Sequence, residues 1–222
     1  MTLRCDGRIE QACLLAIGMA IAVLIAAAGA IAGQGRPICL PPHAQTIAKD
    51  RDVRVYSLAG KPPTHEGIYA CLLRRGTTVA LARDMRNYPT SIDHIALAGA
   101  IVVYTEDTHG VDTGSTDIVV VDVAGRHTLL TIPGAGGFVD ACVIGFREVT
   151  DLVVTRRGSV AWIVRKGARC KTTTFEVYSA QVSATAPALL EEGPAVAPGS
   201  LRLSHQTVSW ENARQRKSTR LR

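Results

Sequence analysis

The most polar stretch of the chain, "YTEDTHGVDTGSTD" at residues 104–117, gathers Glu106, Asp107, Asp112 and Asp117 around His109. Oxygen ligands crowded on one loop suit calcium, and Asp107, Asp112 and Asp117 are the calcium candidates. Their five-residue spacing differs from an EF-hand loop, so the competing expectation is an ordinary solvated connection between strands. His109 beside carboxylates could move protons; a surface histidine is the simpler expectation. Other chemistries lack their residues. "PGAGGF" (133–138) has no G-x-G-x-x-G, no following Lys-Ser/Thr and no helix to open, which argues against a phosphate loop. No G-x-S-x-G elbow occurs, and Ser159 in "RRGSV" reads as a turn residue. Zinc lacks a C-x-x-C pair, and the six histidines are scattered. No catalytic or cofactor-binding residue is assigned.

Of six cysteines, Cys5 and Cys13 lie before or within a long apolar run. Cys39, Cys71, Cys142 and Cys170 remain, an even set that suits disulfides in an exported chain, with three connectivities open. Nearer partners close smaller loops, so Cys39–Cys71 and Cys142–Cys170 are the expected pairs.

Export is argued from the start of the chain. Ala12 to Gly33 is 22 residues without a charge, a helix roughly 33 Å long and enough to cross a bilayer core. Residues 1–11 are then a cytoplasmic tail or signal n-region. Residues 12–33 form an uncleaved membrane anchor, or a signal peptide cut before Gly33 after the small residues Ala30-Ile31-Ala32. In the first case the β-domain stands outside the cell membrane; in the second it is secreted. Residues 34–52, with three prolines, read as a linker.

Arg4 and Arg8 are balanced by Asp6 and Glu10, so the exported part keeps the net charge of +6. That charge suits solubility, anionic surface polymers or lipid headgroups. The C-terminus concentrates it in Arg214, Arg216, Lys217, Arg220 and Arg222. This cluster would grip an anionic partner or keep an edge strand from pairing with other sheets. Nucleic acid is not an expected partner, because no stacking aromatics accompany the cluster.

Residues 53–222 must position all of this. Hydrophobic residues are 47% of the chain, enough for a packed core. Short β-branched runs alternate with Gly, Pro, Asn and Asp turns: "VRVYSL", "IYACLL", "TVALA", "HIALAGAIVVYTE", "DIVVVDV", "HTLLTI", "DLVVT", "SVAWIV", "TFEVYSAQV", "PALLEE", "SLRLS", "TVSWEN" and "KSTRLR", with "TIPGAGGF" and "EGPAVAPG" as breaks. No stretch beyond residue 34 keeps a helical period, so the domain is expected to be all-β. Three segments align on an aromatic with Val two residues before it: "LAGAIVVY" ending at Tyr104, "TRRGSVAW" at Trp162 and "LSHQTVSW" at Trp210. The aromatics are 58 and 48 residues apart, near the 40–50 residues of a propeller blade.

This order resembles the four-stranded blades of WD40-like and TolB-type β-propellers, with "RRGSVAW" as an inner hairpin and "DIVVVDVAGRHTLLTI" as an outer one. It is also similar to uncharacterised exported bacterial proteins built from such repeats, which implies no activity. The resemblance implies a propeller-like arrangement or an open stack of about three antiparallel four-stranded units, the last closed by both chain ends, after the N-terminal hydrophobic helix. A β-sandwich is the alternative. The three aromatics are expected in the core, and Arg156 and Arg157 on an exposed turn. The functional expectation is a non-catalytic, membrane-tethered interaction or binding module at the cell surface, with other envelope proteins or anionic surface polymers as its expected partners. The alternatives are an exported hydrolase with its site on the polar loops and a purely structural envelope protein.

Overall fold

The computed structural model describes residues 39, 41–58, 67–83, 90–139, 144–169 and 171–221. The run 12–33, Cys142 and Cys170 lie outside the described residues. Within them the protein is all-β and antiparallel, in sheets of four, eight and three strands. The first sheet holds β1 (Ala44–Lys49), β2 (Val53–Leu58), β3 (Gly67–Leu72) and β4 (Thr77–Arg83). The second runs through β5 (Thr90–Ala98), β6 (Ile101–His109), β7 (Thr113–Asp122), β8 (His127–Val139), β9 (Gly145–Val154), β10 (Val160–Ala168), β11 (Lys171–Ala180) and β12 (Ala188–Gly193). The third is β13 (Arg202–Ser204), β14 (Thr207–Asn212) and β15 (Gln215–Arg220). Within each sheet every strand neighbours the next in sequence.

The eight-stranded sheet is two four-stranded leaves hinged at one seam. β8 and β9 share only three residue pairs, Gly137–Arg147, Phe138–Phe146 and Val139–Gly145. Beyond them the sheet folds over, so that β9 packs against β5 and β6. The chain is therefore a stack: leaf 1 (β1–β4), leaf 2 (β5–β8), leaf 3 (β9–β12) and a three-stranded leaf 4.

Strand alternation assigns the layers. Ile101, Val103, Ile118 and Val120 of leaf 2 pack with Val149, Val160, Trp162 and Val164 of leaf 3. The intervening residues Val102, Tyr104, Val119 and Val121 turn the other way, onto Val53, Val55, Ala70 and Leu81 of leaf 1. In leaf 3, Ala161, Ile163 and Val177 meet Val208, Trp210, Leu201 and Leu221 around leaf 4. Strands buried on both faces need continuous apolar runs rather than alternation, which is why "IVVY", "IVVV" and "VAWIV" look as they do. Each fully buried aliphatic side chain contributes roughly 1.5–3 kcal/mol.

The repeat aromatics are core residues that each reach back to the preceding leaf. The Tyr104 hydroxyl donates to the Leu81 carbonyl of leaf 1 at 2.9 Å. Trp162, 2% exposed, joins the core shared with leaf 2 and stacks on Tyr178 at 5.4 Å. Trp210 Nε1 donates to Glu191 of leaf 3 at 2.8 Å. Tyr56, on the second strand of leaf 1, faces instead a cluster with Cys39 and Cys71, and those two cysteines form a disulfide.

Several expectations are corrected. The stretch 34–52 is not all linker, because Ala44–Lys49 pairs with β2 and completes leaf 1. Among the described residues β1 fills that edge and β15 pairs with β14, so the first and last strands lie in different sheets. The count is accordingly three four-stranded leaves and one of three strands. The three sheets are not the two of a β-sandwich. "HIALAGAIVVYTE" is a hairpin turning at Gly99, φ 67°. "TIPGAGGF" is no break, since it continues β8. Arg156 and Arg157 are exposed as expected, on a turn closed by Gly158 at φ 88°, where a Cβ would come within 2.9 Å of Val182.

Candidate functional site

A cleft of about 490 Å³ opens between leaves 2 and 3 at the edge that carries the β8–β9 seam. One wall is built on β6. Thr105, Asp107 and His109 alternate onto one face, and all three line the cleft. The polar stretch 104–117 is thus no loop. It is the end of a hairpin, paired in register from Glu106–Asp117 to His109–Gly114, with a turn only at 110–112. Asp107 is buried and accepts a short hydrogen bond from the Thr116 hydroxyl, its cross-strand neighbour. Opposite it on β5 the register shifts between Ile92 and Ile95. This bulge places Asp93 and His94 at the cleft, with the His94 amide donating to Thr105 Oγ1 at 3.0 Å. Burial pushes the Asp107 carboxyl above its ordinary range, Thr116 pulls it down, the neighbouring Asp93 raises it and His109 lowers it. The net direction is upward.

The other wall comes from leaf 3. Arg147 Nη2 donates to Glu176 Oε2 at 2.9 Å and to the Tyr178 hydroxyl at 3.2 Å. Its guanidinium sits 5.7 Å from the Tyr178 ring centroid. Lys166 Nζ donates to Glu176 Oε1 at 2.9 Å. Burial would raise the Glu176 carboxyl, but Lys166, Arg147 and Tyr178 outweigh it and hold it below the ordinary range. Arg165 pairs with Glu148 and lies 5.5 Å from the Phe146 ring centroid.

Between the walls a single cross-strand row reads Gly114–Phe138–Phe146–Gly167. The glycines make room for the rings: a Cβ on Gly114 would come 2.4 Å from Phe138, and one on Gly167 2.7 Å from Phe146. Aromatics laid over neighbouring strand glycines pin the seam and leave both rings half-buried in the cleft.

The calcium candidates are not brought together. Asp107 faces the cleft, while Asp117 lies on the opposite face of the hairpin beside Glu106. Asp117 Oδ1 accepts from the Gly134 amide at 2.9 Å. Burial and then Asp117 push the Glu106 carboxyl up. Asp112 is exposed in the turn. Among the described residues no group of three or more metal-ligating side chains occurs. Asp107 and His109 were readable in the sequence. Asp93, Arg147, Arg165 and Glu176 were not, because a bulge and two strand pairings assemble them. Chemically the cleft offers the Asp107 carboxyl, which favours keeping a proton, together with guanidinium groups and aromatic surface. Among the described residues no serine or cysteine lines it. Comparison with known proteins returns no match, neither a family model nor a curated protein.

Proposed function

We propose that the protein is a non-catalytic binding module, exported and tethered by residues 12–33, whose leaves are a scaffold for the cleft between leaves 2 and 3. The observation that carries the reading is the composition of that cleft on rigid strands. Guanidinium groups at Arg147 and Arg165 accept a negative charge. The Phe138 and Phe146 rings accept an apolar ring face, and the Asp93–Asp107 pair supplies a hydrogen-bond donor. A hydroxylated, negatively charged ligand such as a sugar acid of a surface polymer matches all three. Pre-formed sites with few polar groups on an apolar lining are the usual form of small-ligand pockets.

Thermal unfolding of the full chain with glucuronate against glucose tests this. A rise in melting temperature that grows with the logarithm of concentration for the acid alone supports it, since a ligand that binds only the folded state stabilises by RT times the logarithm of one plus its concentration over Kd. Arg165→Gln should remove the rise, and its partner Glu148 is itself half exposed, so folding survives. Equal effects of the two sugars, or none from either, would refute it. One observation favours the hydrolase reading. Asp107, its carboxyl biased toward the protonated form beside Asp93, is a candidate general acid. Turnover of a surface glycan that is lost in Asp107→Asn while binding persists would establish that reading instead.

A further inference from the structure

At the opposite end of β10 a second cleft, about 580 Å³, lies between leaves 3 and 4. It is built from three segments far apart in sequence. The β9–β10 turn brings Arg156 and Arg157, the β13–β14 turn His205 and Gln206, and the end of β15 Arg220. Among the described residues no carboxylate lines it. Among the described residues none of the three arginines forms an ion pair.

The arginines are held in place without being neutralised. Thr155, buried under the turn, accepts from the amides of Arg157 and Ser159 at 3.3 and 3.1 Å. The turn is also closed by the Gly158 amide donating to the Thr155 carbonyl at 3.0 Å. The Arg156 stem rests against Gly99 of leaf 2. Gln206 Oε1 accepts from both Nε and Nη2 of Arg220, at 3.3 and 3.0 Å. That neutral partner orients the guanidinium and leaves its charge and Nη1 uncommitted. Concentrating like charge costs self-repulsion, which a ligand of opposite sign relieves.

We infer that this cleft binds a phosphoryl group, with Arg157 and Arg220 as its principal ligands and Arg156 and His205 at its margin. A tetrahedral dianion presents acceptors in several directions, so guanidinium groups arriving from separate segments engage it together. A planar carboxylate would satisfy only one fork. The phosphoryl group could be that of a free phosphate compound or of a lipid headgroup.

The experiment uses the full chain in neutral detergent at low salt. Inorganic pyrophosphate is titrated by calorimetry, and flotation measures association with phosphatidylcholine vesicles containing or lacking phosphatidylglycerol. Arg157→Gln and Arg220→Gln are compared with Arg126→Gln and Arg214→Gln, which remove the same charge from exposed turns outside the cleft. Cleft variants should weaken pyrophosphate binding about tenfold each, the effect of one lost charge-assisted contact, with controls within twofold. The same ranking for phosphatidylglycerol vesicles identifies the phosphoryl source as a headgroup. The ranking for pyrophosphate alone identifies a free phosphate compound. Loss shared equally by the controls, or no saturable binding of either probe, overturns the inference. Unchanged melting curves for the variants separate lost binding from lost fold.

Discussion

The tryptophans at equivalent positions of leaves 3 and 4 should respond differently to the same substitution. Trp→Phe at either site leaves a partly filled space, costing about 1–2 kcal/mol. At Trp162 the indole Nε1 is buried with no acceptor among the described residues. Phenylalanine removes that unsatisfied donor, whose burial costs about 1–3 kcal/mol, and keeps the stack on Tyr178. The two effects offset, so Trp162→Phe should change stability by less than about 1 kcal/mol. At Trp210 the Nε1 donates to a Glu191 side chain that is 12% exposed, and a hydrogen bond to a charged group contributes about 1.5–3 kcal/mol. Glu191 keeps Asn212 and Lys217 as donors, so the lower end applies and the total loss is about 3 kcal/mol. The assay is urea unfolding followed by fluorescence. The chain has two tryptophans, so each variant retains the other as its only indole reporter. The slope should not change, only the midpoint. A Trp162→Phe loss equal to or larger than that of Trp210→Phe would refute the account of both indoles.

Gly167→Ala should be among the most damaging single changes, more than about 4 kcal/mol, because its Cβ would sit 2.1 Å from the backbone carbonyl oxygen of Lys171. Gly134→Ala meets nothing within 4 Å and suffers only from φ +63°, about 1–2 kcal/mol; urea midpoints of the two variants check the order. Asp107→Asn keeps an acceptor for Thr116 and removes the burial penalty on the charge. A carboxyl whose folded value is raised supports the fold fully below its unfolded value, about 3.9, and loses that support as pH climbs through the folded value. The variant should therefore melt higher than the parent at pH 7 and equally near pH 3; a gap that persists at pH 3 counts against the buried carboxyl. Opening the Cys39–Cys71 bridge, which spans 32 residues, should cost about 3.7 kcal/mol by the loop-closure relation, read from melts of Cys39→Ser/Cys71→Ser with and without reductant.

The layers were legible because burial on two faces writes itself into sequence. "IVVY", "IVVV" and "VAWIV" announce inner strands, and the spacing of Tyr104, Trp162 and Trp210 marks the aromatics that reach back to the leaf before. The outer strand β1 was not legible. Its "AQTIAK" is buried on one side at most, and its apolar signal is diluted among prolines. The polar 104–117 stretch looked like a loop because β6 and β7 run beyond the core into the rim of the cleft, where strand pairing persists but apolar burial ends. "TIPGAGGF" looked like a break because of its glycines, but Gly136 and Gly137 lie where a Cβ would run into Thr116, the Gly114 carbonyl and the Arg147 carbonyl of the flanking strands, and nothing local reveals that close approach. The cleft was half visible. Asp107 and His109 sit in a conspicuous run, whereas Arg147 and Glu176 lie 29 residues apart and meet only through the β9–β10–β11 pairing.

Glu176 shows how such a wall is held, and it can be tested through pH. Its side chain is 5% exposed, and its oxygens take Arg147 and Lys166, which are 40% and 45% exposed. Tyr178, which shares Arg147 with it, is also stacked on Trp162, so the cleft wall is continuous with the core. Losing a buried partner costs 3–5 kcal/mol when both charges are enclosed. Here the cations reach water, so Glu176→Gln should cost about 1–2 kcal/mol. The folded carboxyl lies below its usual range. Its contribution is therefore present above the unfolded value, about 4.3, and disappears as pH falls through the folded value. The gap between parent and variant in urea should be full at pH 7 and closed at pH 2–3. A gap of equal size at both pH values would mean that shape, not charge, is what Glu176 supplies. If charge holds Arg147 in position, Glu176→Gln should also weaken a ligand in the cleft that Glu176 itself does not line. That separates a positioning role from a contact.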